Sequence, residues 1–354
     1  MQPVYTPIKD RKIRIGIVGC GKIASNHLQA LHELSNDYEL CAVCDTASTS
    51  LQTVTEKFGI QGFATLENMI TAMPHLDVIT LCSPSGLHAQ QTIQAARANK
   101  HVVTEKPMAT RWSDGLQMIN ECDKANVELF VVKQNRYQPA LQLLKKAIDK
   151  QRFGRIYLVN LNVFWTRPQT YYNQSRWRGT WEFDGGAFMN QASHYVDLLD
   201  WLIGPVQSVH AMMSTLAINM QAEDTGILNI RWRSGALGSM NVTMLTYPKN
   251  LEASLTILGE KGSVKIGGTS ANEILHWEFA EADALDDELN ALKSLSPRLP
   301  HQGHTQYYTN VVHTLRGKDR PDIDGRAGLR SLEILIAAYL SARDNQSVSL
   351  PLVY

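Results

Sequence analysis

Short apolar runs alternate with helix-spaced patterns through the first third of the chain. The run Ile13–Val18 is followed by leucines at helical spacing between Asn26 and Leu34, and the next run, Leu40–Cys44, comes directly after. Further strands are expected at 76–82, 101–104 and 128–133, and further helices near 51–58, 87–98 and 113–125. Strands that alternate with helices of this length predict a parallel, doubly wound sheet. Such a sheet binds its ligands outside the carboxyl ends of its strands.

The pattern changes after a helix expected over Pro139–Lys150. Beyond it apolar and polar residues alternate, as in Ile156–Val163, and similar strands are expected near 209–216, 227–232, 236–245, 253–258 and 263–266. Consecutive strands joined by short turns predict a large, mostly antiparallel sheet with helices on one face. We therefore expect an α/β protein of two domains, 1–134 with the parallel sheet and 135–354 with an α+β fold, although the last helices could cross back over this boundary.

The turn after the first strand, Gly19-Cys20-Gly21-Lys22-Ile23-Ala24, has the spacing of a dinucleotide-binding fingerprint. Gly19 allows a tight reversal, Gly21 leaves bare backbone for a pyrophosphate, and Ala24 lets the helix lie close to the strand. The N–H groups of the helix start then face the phosphates. Asp45 follows about 20 residues later, where such a site places the acid for a ribose 2′-OH. The turn therefore predicts a Rossmann domain that binds NAD rather than NADP; an ordinary turn without a ligand is the alternative.

Composition narrows the class of protein. The 354-residue chain carries 34 basic and 34 acidic side chains, so neither nucleic acid nor an acidic membrane is an expected partner. Residues 1–12 lack the apolar segment of a secretory signal, and the apolar run 332–340 is too short to span a bilayer. Five cysteines form no disulfide pattern. These features predict a soluble cytoplasmic protein.

Two patterns resemble metal sites only superficially. Cys41 and Cys44 share one expected strand, where an odd separation points them to opposite faces, so packing is favoured over metal binding. The late cluster His301-Gln302-Gly303-His304 has no carboxylate or cysteine at ligand spacing. We expect it to form a loop, and we expect no metal in the protein.

Polar residues follow three of the expected parallel strands. Ser83-Pro84 and His88 are placed to border the nicotinamide half of a cofactor, and for His88 a capping or packing role is the alternative. The next strand ends in Glu105-Lys106-Pro107, where a cis Lys–Pro bond would direct Lys106 into the crevice at the strand ends. The last strand ends in Gln134-Asn135-Arg136-Tyr137, a polar cluster that can hydrogen-bond a sugar.

A second informative stretch begins at Gly185 in the C-terminal half. Its interior has helical spacing and Gly204-Pro205 ends it, which predicts one helix. Asn190, His194 and Asp197 are separated by four and three residues and would share one face of that helix. Such a face can present an amide and an imidazole to a ligand. The alternative is a histidine satisfied by the aspartate three residues later, at a helix surface.

With these motifs the chain resembles the family of glucose–fructose oxidoreductase, inositol dehydrogenase and rhizopine-catabolism proteins. The glycine turn, Glu105-Lys106-Pro107 and the Asn190…His194 helix carry the likeness, which covers nearly the whole chain. Within the family, Trp177–Trp181 and Gly185–Pro205 resemble the UDP-N-acetylglucosaminuronate 3-dehydrogenases. The resemblance implies an NAD-dependent enzyme that oxidises the C3 hydroxyl of this nucleotide sugar to a 3-keto sugar, in the biosynthesis of bacterial surface polysaccharide such as O-antigen.

The resemblance also implies residue roles. It places Lys106 and His194 beside the reacting carbon, and Trp177 and Arg178 against the cofactor. The second domain, 135–354, is then the substrate-binding and oligomerisation domain. The residues expected to bind NAD are Gly19, Gly21, Lys22, Ile23, Ala24, Asp45, Ser83, Pro84, His88, Glu105, Lys106, Gln134, Trp177 and Arg178.

The chain departs from the family pattern at two positions. Asn190 stands where many members have aspartate, and Ser85 stands where they have asparagine. Because Asn190 does not titrate, we assign it to orienting the substrate hydroxyl or His194. Lys106, desolvated in a closed cleft, could have a lowered pKa and take the hydroxyl proton directly or through His194.

A nucleotide sugar acid carries a carboxylate and a diphosphate, which call for arginines and backbone donors. The candidate side chains are Arg136, Arg167 and Arg178 for the anions and Tyr137, Tyr171 and Tyr172 for the sugar or uracil, with Lys106, Asn190 and His194 at the reacting hydroxyl. On residue type alone, each arginine or tyrosine could instead be a solvated surface group.

Two other functions stay open. The nearer one is a dehydrogenase of the same family that acts on inositol or a free aldose. The other is a non-catalytic NAD-binding protein, against which Lys106 and His194 argue, as does the lack of a basic helix-turn-helix segment. In each case a broad sheet face favours a homo-oligomer, a dimer or a tetramer.

Overall fold

The computed structural model describes residues 5–293 and 302–353, which divide into two compact units. The first comprises the described residues up to Gln134 and those from 302 to Leu329; the second comprises Asn135 to 293 and the chain from Arg330 onward. The expected division placed 302–329 in the second domain. Its helix instead packs on the first helix of the chain, with Tyr307, Tyr308 and other apolar side chains buried.

The first unit contains a six-stranded parallel sheet with the order β3-β2-β1-β4-β5-β6. Its strands are β1 Ile13–Val18, β2 Tyr38–Cys44, β3 Gln61–Phe63, β4 Val78–Leu81, β5 His101–Thr104 and β6 Leu129–Val131. The helices between them are α1 Ala24–Glu33, α2 Ser48–Phe58, α3 Leu66–Ala72, α4 His88–Arg97 and α5 Trp112–Lys124. The predicted doubly wound parallel sheet is confirmed.

Burial explains which strands of this sheet could be predicted from the sequence. Ile13, Ile15 and Ile17 are fully buried in the central strand β1, and every residue of β4 is buried. A parallel sheet covered on both faces needs such continuous apolar runs. The edge strand β3 has only three residues, none of them buried, so no apolar run marked it.

The second unit contains an eight-stranded sheet with the order β13-β12-β11-β7-β10-β9-β8-β14. Its strands are β7 Ile156–Phe164, β8 Val206–Ser214, β9 Thr225–Trp232, β10 Leu237–Thr243, β11 Glu252–Gly259, β12 Gly262–Gly267, β13 Glu273–Phe279 and β14 Val348–Ser349. Only the β7–β10 pair is parallel among the strand pairs of this described sheet. The predicted mostly antiparallel sheet is confirmed, and β13 and β14 were not predicted.

The helices of the second half are α6 Pro139–Asp149, α7 Gln169–Asn173, α8 Ser193–Ile203, α9 Leu285–Lys293, α10 Gln302–Leu315 and α11 Gly325–Asp344. In β7 the buried residues Val159, Leu161 and Val163 alternate with Asn160 and Asn162, which lie on the other face. The asparagine amides continue across this face, since Asn241 donates to Asn162 at 2.9 Å. One face of the sheet therefore forms the core, and the other carries polar side chains around Asn160 and Asn162.

All five cysteines are free thiols, as expected. No helix in the described part of the chain is both long and apolar enough to cross a bilayer.

Helix α5 provides a direct test of the assigned core. Met118 is fully buried, whereas Leu116 in the same helix is 45% exposed. Met118→Ala should lower the free energy of unfolding by about 2–5 kcal/mol because it leaves a cavity, and Leu116→Ala should lower it by less than about 1 kcal/mol. Urea unfolding of both variants measures the difference. Equal losses would contradict the assignment of the buried face of α5.

Candidate functional site

The glycine turn after β1 has the shape that a dinucleotide requires. Gly19 has a φ of 94°, and a Cβ there would lie 2.7 Å from the backbone of Cys82, so only glycine fits. A Cβ on Gly21 would meet nothing within 4 Å, which leaves open space beside its backbone. Lys22 is exposed, Ile23 is half-buried, Ala24 is fully buried at the start of α1, and no side chain caps that helix. These features fit a pyrophosphate at the helix N-terminus.

Asp45 at the end of β2 is bound to this turn. Its Oδ2 accepts the Cys20 N–H at 2.6 Å, and its Oδ1 accepts the Ala47 N–H at 2.7 Å. Each carboxylate oxygen can accept a further hydrogen bond, so the geometry is compatible with a ribose hydroxyl. The role of Asp45 in NAD binding stays a prediction.

The segment after β5 carries the candidate lysine. The Lys106–Pro107 peptide bond is cis, as predicted, and the Lys106 backbone N–H donates to Glu105 Oε2 at 3.0 Å. Glu105 Oε1 contacts His27 Nε2 at 2.9 Å, and His27 Nδ1 lies 2.8 Å from the Tyr308 hydroxyl. Glu105 was predicted to bind the cofactor, but its side chain is buried and directed toward these groups. It holds the backbone of Lys106 from within the unit.

His304 corrects the prediction of a loop at 301–304. It lies in α10, fully buried, with Nε2 3.6 Å from Glu105 Oε1; His301 lies outside the described residues. Burial would raise the pKa of Glu105, but hydrogen bonding with His27 and His304 holds that pKa well below its usual value. The donor atoms of His27, Glu105 and His304 lie within 4.8 Å of one another, close enough for a metal ion. The contacts of His27 with Glu105 and Tyr308 account for its position, and the expected lack of a metal stays a prediction.

His88 has the packing role that was its alternative. It is fully buried, with Nδ1 3.0 Å from the Pro107 carbonyl and Nε2 3.0 Å from the Ser83 carbonyl. Burial lowers its pKa. His88 therefore joins the segments after β4 and β5 and has no surface for a cofactor. Ser83, Pro84 and Gln134 are half-buried at strand ends, and their roles stay predictions.

Arg136 is neither a surface group nor an open anion site. Its Nε and one terminal nitrogen donate to the two oxygens of Asp197, both at 2.7 Å, and its guanidinium lies 5.5 Å from the ring centre of Trp201. Both partners are buried. The guanidinium of Arg136, which was expected to bind substrate, is thus occupied by the carboxylate of Asp197. The alternative interpretation of the sequence had assigned this same carboxylate to His194. Neighbouring Tyr137 is half-buried.

The stretch from Gly185 to Gly204 is not one helix. Ala187–Gln191 forms a π-helical turn that carries Asn190, and α8 begins after it, with His194 in its first turn and nearly buried. The prediction of a continuous helix was wrong: the N–H groups of residues 187–189 bind Glu223 and Tyr339, which are distant in the sequence. The Asn190 amide donates to Asp184 Oδ1, and Asp184 Oδ2 accepts the Gly179 N–H at 2.7 Å.

Two arginines surround one tyrosine near this turn. The guanidinium of Arg178 lies 4.3 Å from the ring centre of Tyr171 and 4.6 Å from that of Trp177, and it donates to the Tyr171 hydroxyl. Arg167 lies 5.6 Å from the same tyrosine ring, and its Nε donates to Gln191 at 3.1 Å. No carboxylate of the described residues pairs with either arginine, and Arg178 Nε is buried without an acceptor. We call Arg167, Tyr171, Arg178 and Gln191 the arginine–tyrosine cluster.

Tyr172 lies behind this cluster. Its ring packs edge-on against Tyr171 with 5.1 Å between the ring centres, and its side chain is buried. Burial raises the pKa of its hydroxyl. Tyr172 therefore supports Tyr171, and its predicted contact with substrate stays a prediction.

Sequence reasoning missed three polar residues of this region. Asp184 binds Asn190, Gln191 joins Arg167 to Tyr171, and Glu223 accepts the Phe188 N–H through Oε1 at 2.8 Å. The only sequence signal was their type: an acid before the paired glycines, an amide beside Asn190, and paired acids ahead of β9. Burial raises the pKa of Glu223 to about 7, although the donors of Phe188 and Tyr339 oppose this.

Comparisons with known proteins agree with both units. The chain matches the model for an oxidoreductase family NAD-binding Rossmann fold over residues 13–133 and that for the oxidoreductase family C-terminal alpha/beta domain over residues 145–350. It is 25% identical to myo-inositol 2-dehydrogenase of Thermotoga maritima over 346 residues, which cover 96% of this chain and 98% of the relative.

Two solved structures are more similar. The WlbA dehydrogenase of Chromobacterium violaceum, in complex with NADH and UDP-GlcNAcA, has 59% identity and a TM-score of 0.95 over 99% of both chains. The WlbA dehydrogenase of Bordetella pertussis, with the same two ligands, has 55% identity and a TM-score of 0.93 over 98% of this chain and 100% of its own. The similarity to these two structures, in sequence and in fold, thus extends over 98–99% of the chain.

The raised pKa of Glu223 predicts a pH-dependent stability. The unfolded chain releases this proton near pH 4, whereas the folded protein holds it to about pH 7, so folding becomes less favourable as pH rises between these values. Glu223→Gln cannot ionise. Between pH 4.5 and 7.5, the free energy of unfolding of the wild type should fall relative to that of the variant by roughly 2–3 kcal/mol. Urea unfolding at both pH values measures this, and parallel pH profiles would contradict it.

Proposed function

Because the chain belongs to the oxidoreductase family of these Rossmann and C-terminal alpha/beta domains, we propose that it oxidises the C3 hydroxyl of UDP-N-acetylglucosaminuronic acid with NAD. The observation that carries the proposal is 59% identity, over 99% of both chains, to a dehydrogenase solved with NADH and UDP-GlcNAcA. A role of the product in bacterial surface polysaccharide follows from the same resemblance. The cytoplasmic location stays a prediction.

The first unit supports the cofactor part of the proposal. Gly19 and Gly21 shape a turn with open space at the start of α1, and Asp45 lies at the end of the next strand. These residues fit the pyrophosphate and a ribose without a 2′-phosphate. When bound, NAD supplies the hydride acceptor for the alcohol.

An alcohol that loses a hydride must also lose its hydroxyl proton. We assign this proton to Lys106, which takes it directly or through His194. Asn190 has no titrating group, and its amide nitrogen donates to Asp184. Its Oδ1 accepts from Gln191 Nε2 at 3.5 Å and is the atom that would accept a further hydrogen bond from a sugar hydroxyl. Asn190 therefore orients the substrate rather than accepting its proton.

The arginine–tyrosine cluster supports an anionic substrate. Arg167 and Arg178 face neutral partners among the described side chains, and Arg178 Nε is a buried donor without an acceptor. A carboxylate or diphosphate would complete these hydrogen bonds, which are stronger when both groups are charged. Arg178 and Trp177 were also predicted to contact NAD, and the cluster is compatible with that role.

One alternative has a specific observation in its favour. The relative from Thermotoga maritima, named as myo-inositol 2-dehydrogenase, covers nearly the whole chain at 25% identity. A cyclic polyol presents a secondary hydroxyl to the same base, but it has no charge for the arginine–tyrosine cluster to bind. We therefore rank this substrate second.

The open face of the eight-stranded sheet supports a homo-oligomer. Leu158 on β7 is paired in register with Leu237 on β10 and Leu258 on β11, so the three leucines form one row. They are 45%, 46% and 38% exposed. An apolar row on an uncovered sheet face favours association with a second copy. We propose a dimer or tetramer formed through this face.

The substrate proposal is tested by NADH formation at 340 nm with purified protein and NAD. We expect turnover with UDP-N-acetylglucosaminuronic acid and a kcat/KM lower by about tenfold or more for UDP-N-acetylglucosamine, because the neutral sugar loses charge-assisted hydrogen bonds. Turnover of myo-inositol or free aldoses alone would favour the alternative. Tight NAD binding without oxidation of any sugar would revive the non-catalytic interpretation.

Lys106→Met tests the assigned proton acceptor. It should lower kcat by about 100-fold or more while the affinity for NAD stays within a few-fold, because a general base acts in the chemical step. Lys318→Met, at an exposed position, is the matched control and should leave kcat unchanged. Turnover retained by Lys106→Met would remove this lysine from the chemistry.

The oligomer proposal is tested by sedimentation velocity. Leu158→Arg should shift the protein toward a smaller species because it places a charge in the leucine row. Leu116→Arg is the control, since Leu116 is equally exposed, at 45%, on a helix of the first unit. A wild-type protein that sediments as a monomer, or equal shifts for both variants, would refute the interface.

A further inference from the structure

The first N–H groups of the turn that carries Asn190 have their hydrogen-bond acceptors outside the turn. Glu223 and Tyr339 provide the acceptors. The Glu223 carbonyl accepts from residue 187 at 2.8 Å, its Oε1 accepts from residue 188 at 2.8 Å, and the Tyr339 hydroxyl accepts from residue 189 at 3.1 Å. That hydroxyl also donates to Glu223 Oε1 at 2.9 Å. The two residues thus cap the turn together, Glu223 through its carbonyl and side chain and Tyr339 through its hydroxyl.

The close approach of Glu223 to the backbone is built into the sequence. A Cβ on Gly186 would lie 2.0 Å from Glu223 Oε2, so only glycine leaves room for the carboxylate. Glu223 is 3% exposed, and its Oε2 has no hydrogen-bond partner. Burying a carboxyl group with one unsatisfied oxygen costs free energy of folding. The protein retains this group nonetheless, which indicates that the contacts of Glu223 with the turn have a role beyond the packing of the core.

The turn transmits its position to the candidate site through two side chains. Asn190 donates to Asp184, and Gln191 donates to the Tyr171 hydroxyl at 3.1 Å and accepts from Arg167 at the same distance. A shift of the turn therefore moves the amide assigned to the substrate hydroxyl and the arginine–tyrosine cluster together.

We propose that Glu223 is a positioning residue for the sugar oxidation, which acts by holding the Ala187–Gln191 turn so that Asn190 is placed for the substrate hydroxyl and Gln191 for the arginine–tyrosine cluster. This inference rests on the proposed function. Glu223 contacts the backbone of the turn and is only 3% exposed, so we assign it no direct contact with the substrate. Its contribution should therefore appear in the chemical step and not in NAD binding.

The neighbouring acid provides a matched control. Asp224 is fully buried and accepts backbone N–H groups of Leu216, Ala217 and Ile218 at 2.9–3.1 Å. It performs the same kind of backbone capping one residue away, on a different loop. A substitution at Asp224 thus reports the cost of losing a buried acid without disturbing the π-helical turn.

The experiment compares Glu223→Ala, Glu223→Gln and Asp224→Asn in the full-length protein, with steady-state kinetics on UDP-N-acetylglucosaminuronic acid and thermal melting. Glu223→Ala should lower kcat by about 10- to 100-fold and leave the NAD affinity within about twofold. Glu223→Gln keeps an oxygen acceptor for Phe188 and Tyr339, so it should restore kcat to within about fivefold of the wild type. Asp224→Asn should lower the melting temperature and leave kcat within about twofold.

Hydrogen exchange of the 187–191 amides gives a readout independent of turnover. Exchange there should accelerate about tenfold or more in Glu223→Ala and stay unchanged in Asp224→Asn. If Glu223→Ala does not fold, Tyr339→Phe removes the acceptor of the Met189 N–H and should lower kcat by about three- to tenfold.

The possible outcomes separate the two proposals. A wild-type protein inactive on the nucleotide sugar refutes the proposed function, while hydrogen exchange still tests the anchoring of the turn. With an active wild type, an unchanged kcat in Glu223→Ala, an equal loss in Asp224→Asn, or no rescue by Glu223→Gln overturns the positioning role.

Discussion

A buried carboxylate that accepts a backbone N–H is the interaction on which both halves of this protein depend. Glu105 holds the N–H of Lys106 at 3.0 Å in the first unit, and Glu223 holds that of Phe188 at 2.8 Å in the second. Asp184, which is also buried, accepts the N–H of Gly179, and the half-buried Asp45 accepts an N–H of the glycine turn. The segments that these acids hold lie outside regular helix and strand bonding, so their N–H groups need acceptors from elsewhere.

Local patterns were enough to predict the architecture. Continuous apolar runs such as Ile13–Val18 identified a parallel sheet, and alternation in Ile156–Phe164 identified the second, mostly antiparallel sheet. The glycine turn could be read because its spacing encodes its shape within a few residues. The family followed from the combination of this turn with Glu105-Lys106-Pro107 and the segment from Asn190 to His194, and the matches over 13–133 and 145–350 confirm it.

The details that were missed depend on partners far away in the sequence. The π-helical turn is capped by Glu223, 35 residues from Phe188, and by Tyr339, 150 residues from Met189. Arg136 looked available to a substrate anion because residue type does not reveal that Asp197, 61 residues away, fills its guanidinium fork. Periodicity reports on residues that are close along the chain, whereas the hydrogen-bond partners of these groups are close only in the folded structure.

The lack of space for a side chain at Gly186 limits which substitutions this region can accept. A side chain at position 186 would collide with the carboxyl group of Glu223, and a smaller residue at position 223 would leave an empty space beside Gly186. The side chains of Arg167, Tyr171 and Arg178 are only half-buried and carry no comparable restriction. A new substrate preference can therefore arise, by evolution or by engineering, through substitutions at Arg167, Tyr171 and Arg178, whereas the packing of Gly186 against Glu223 has to be kept.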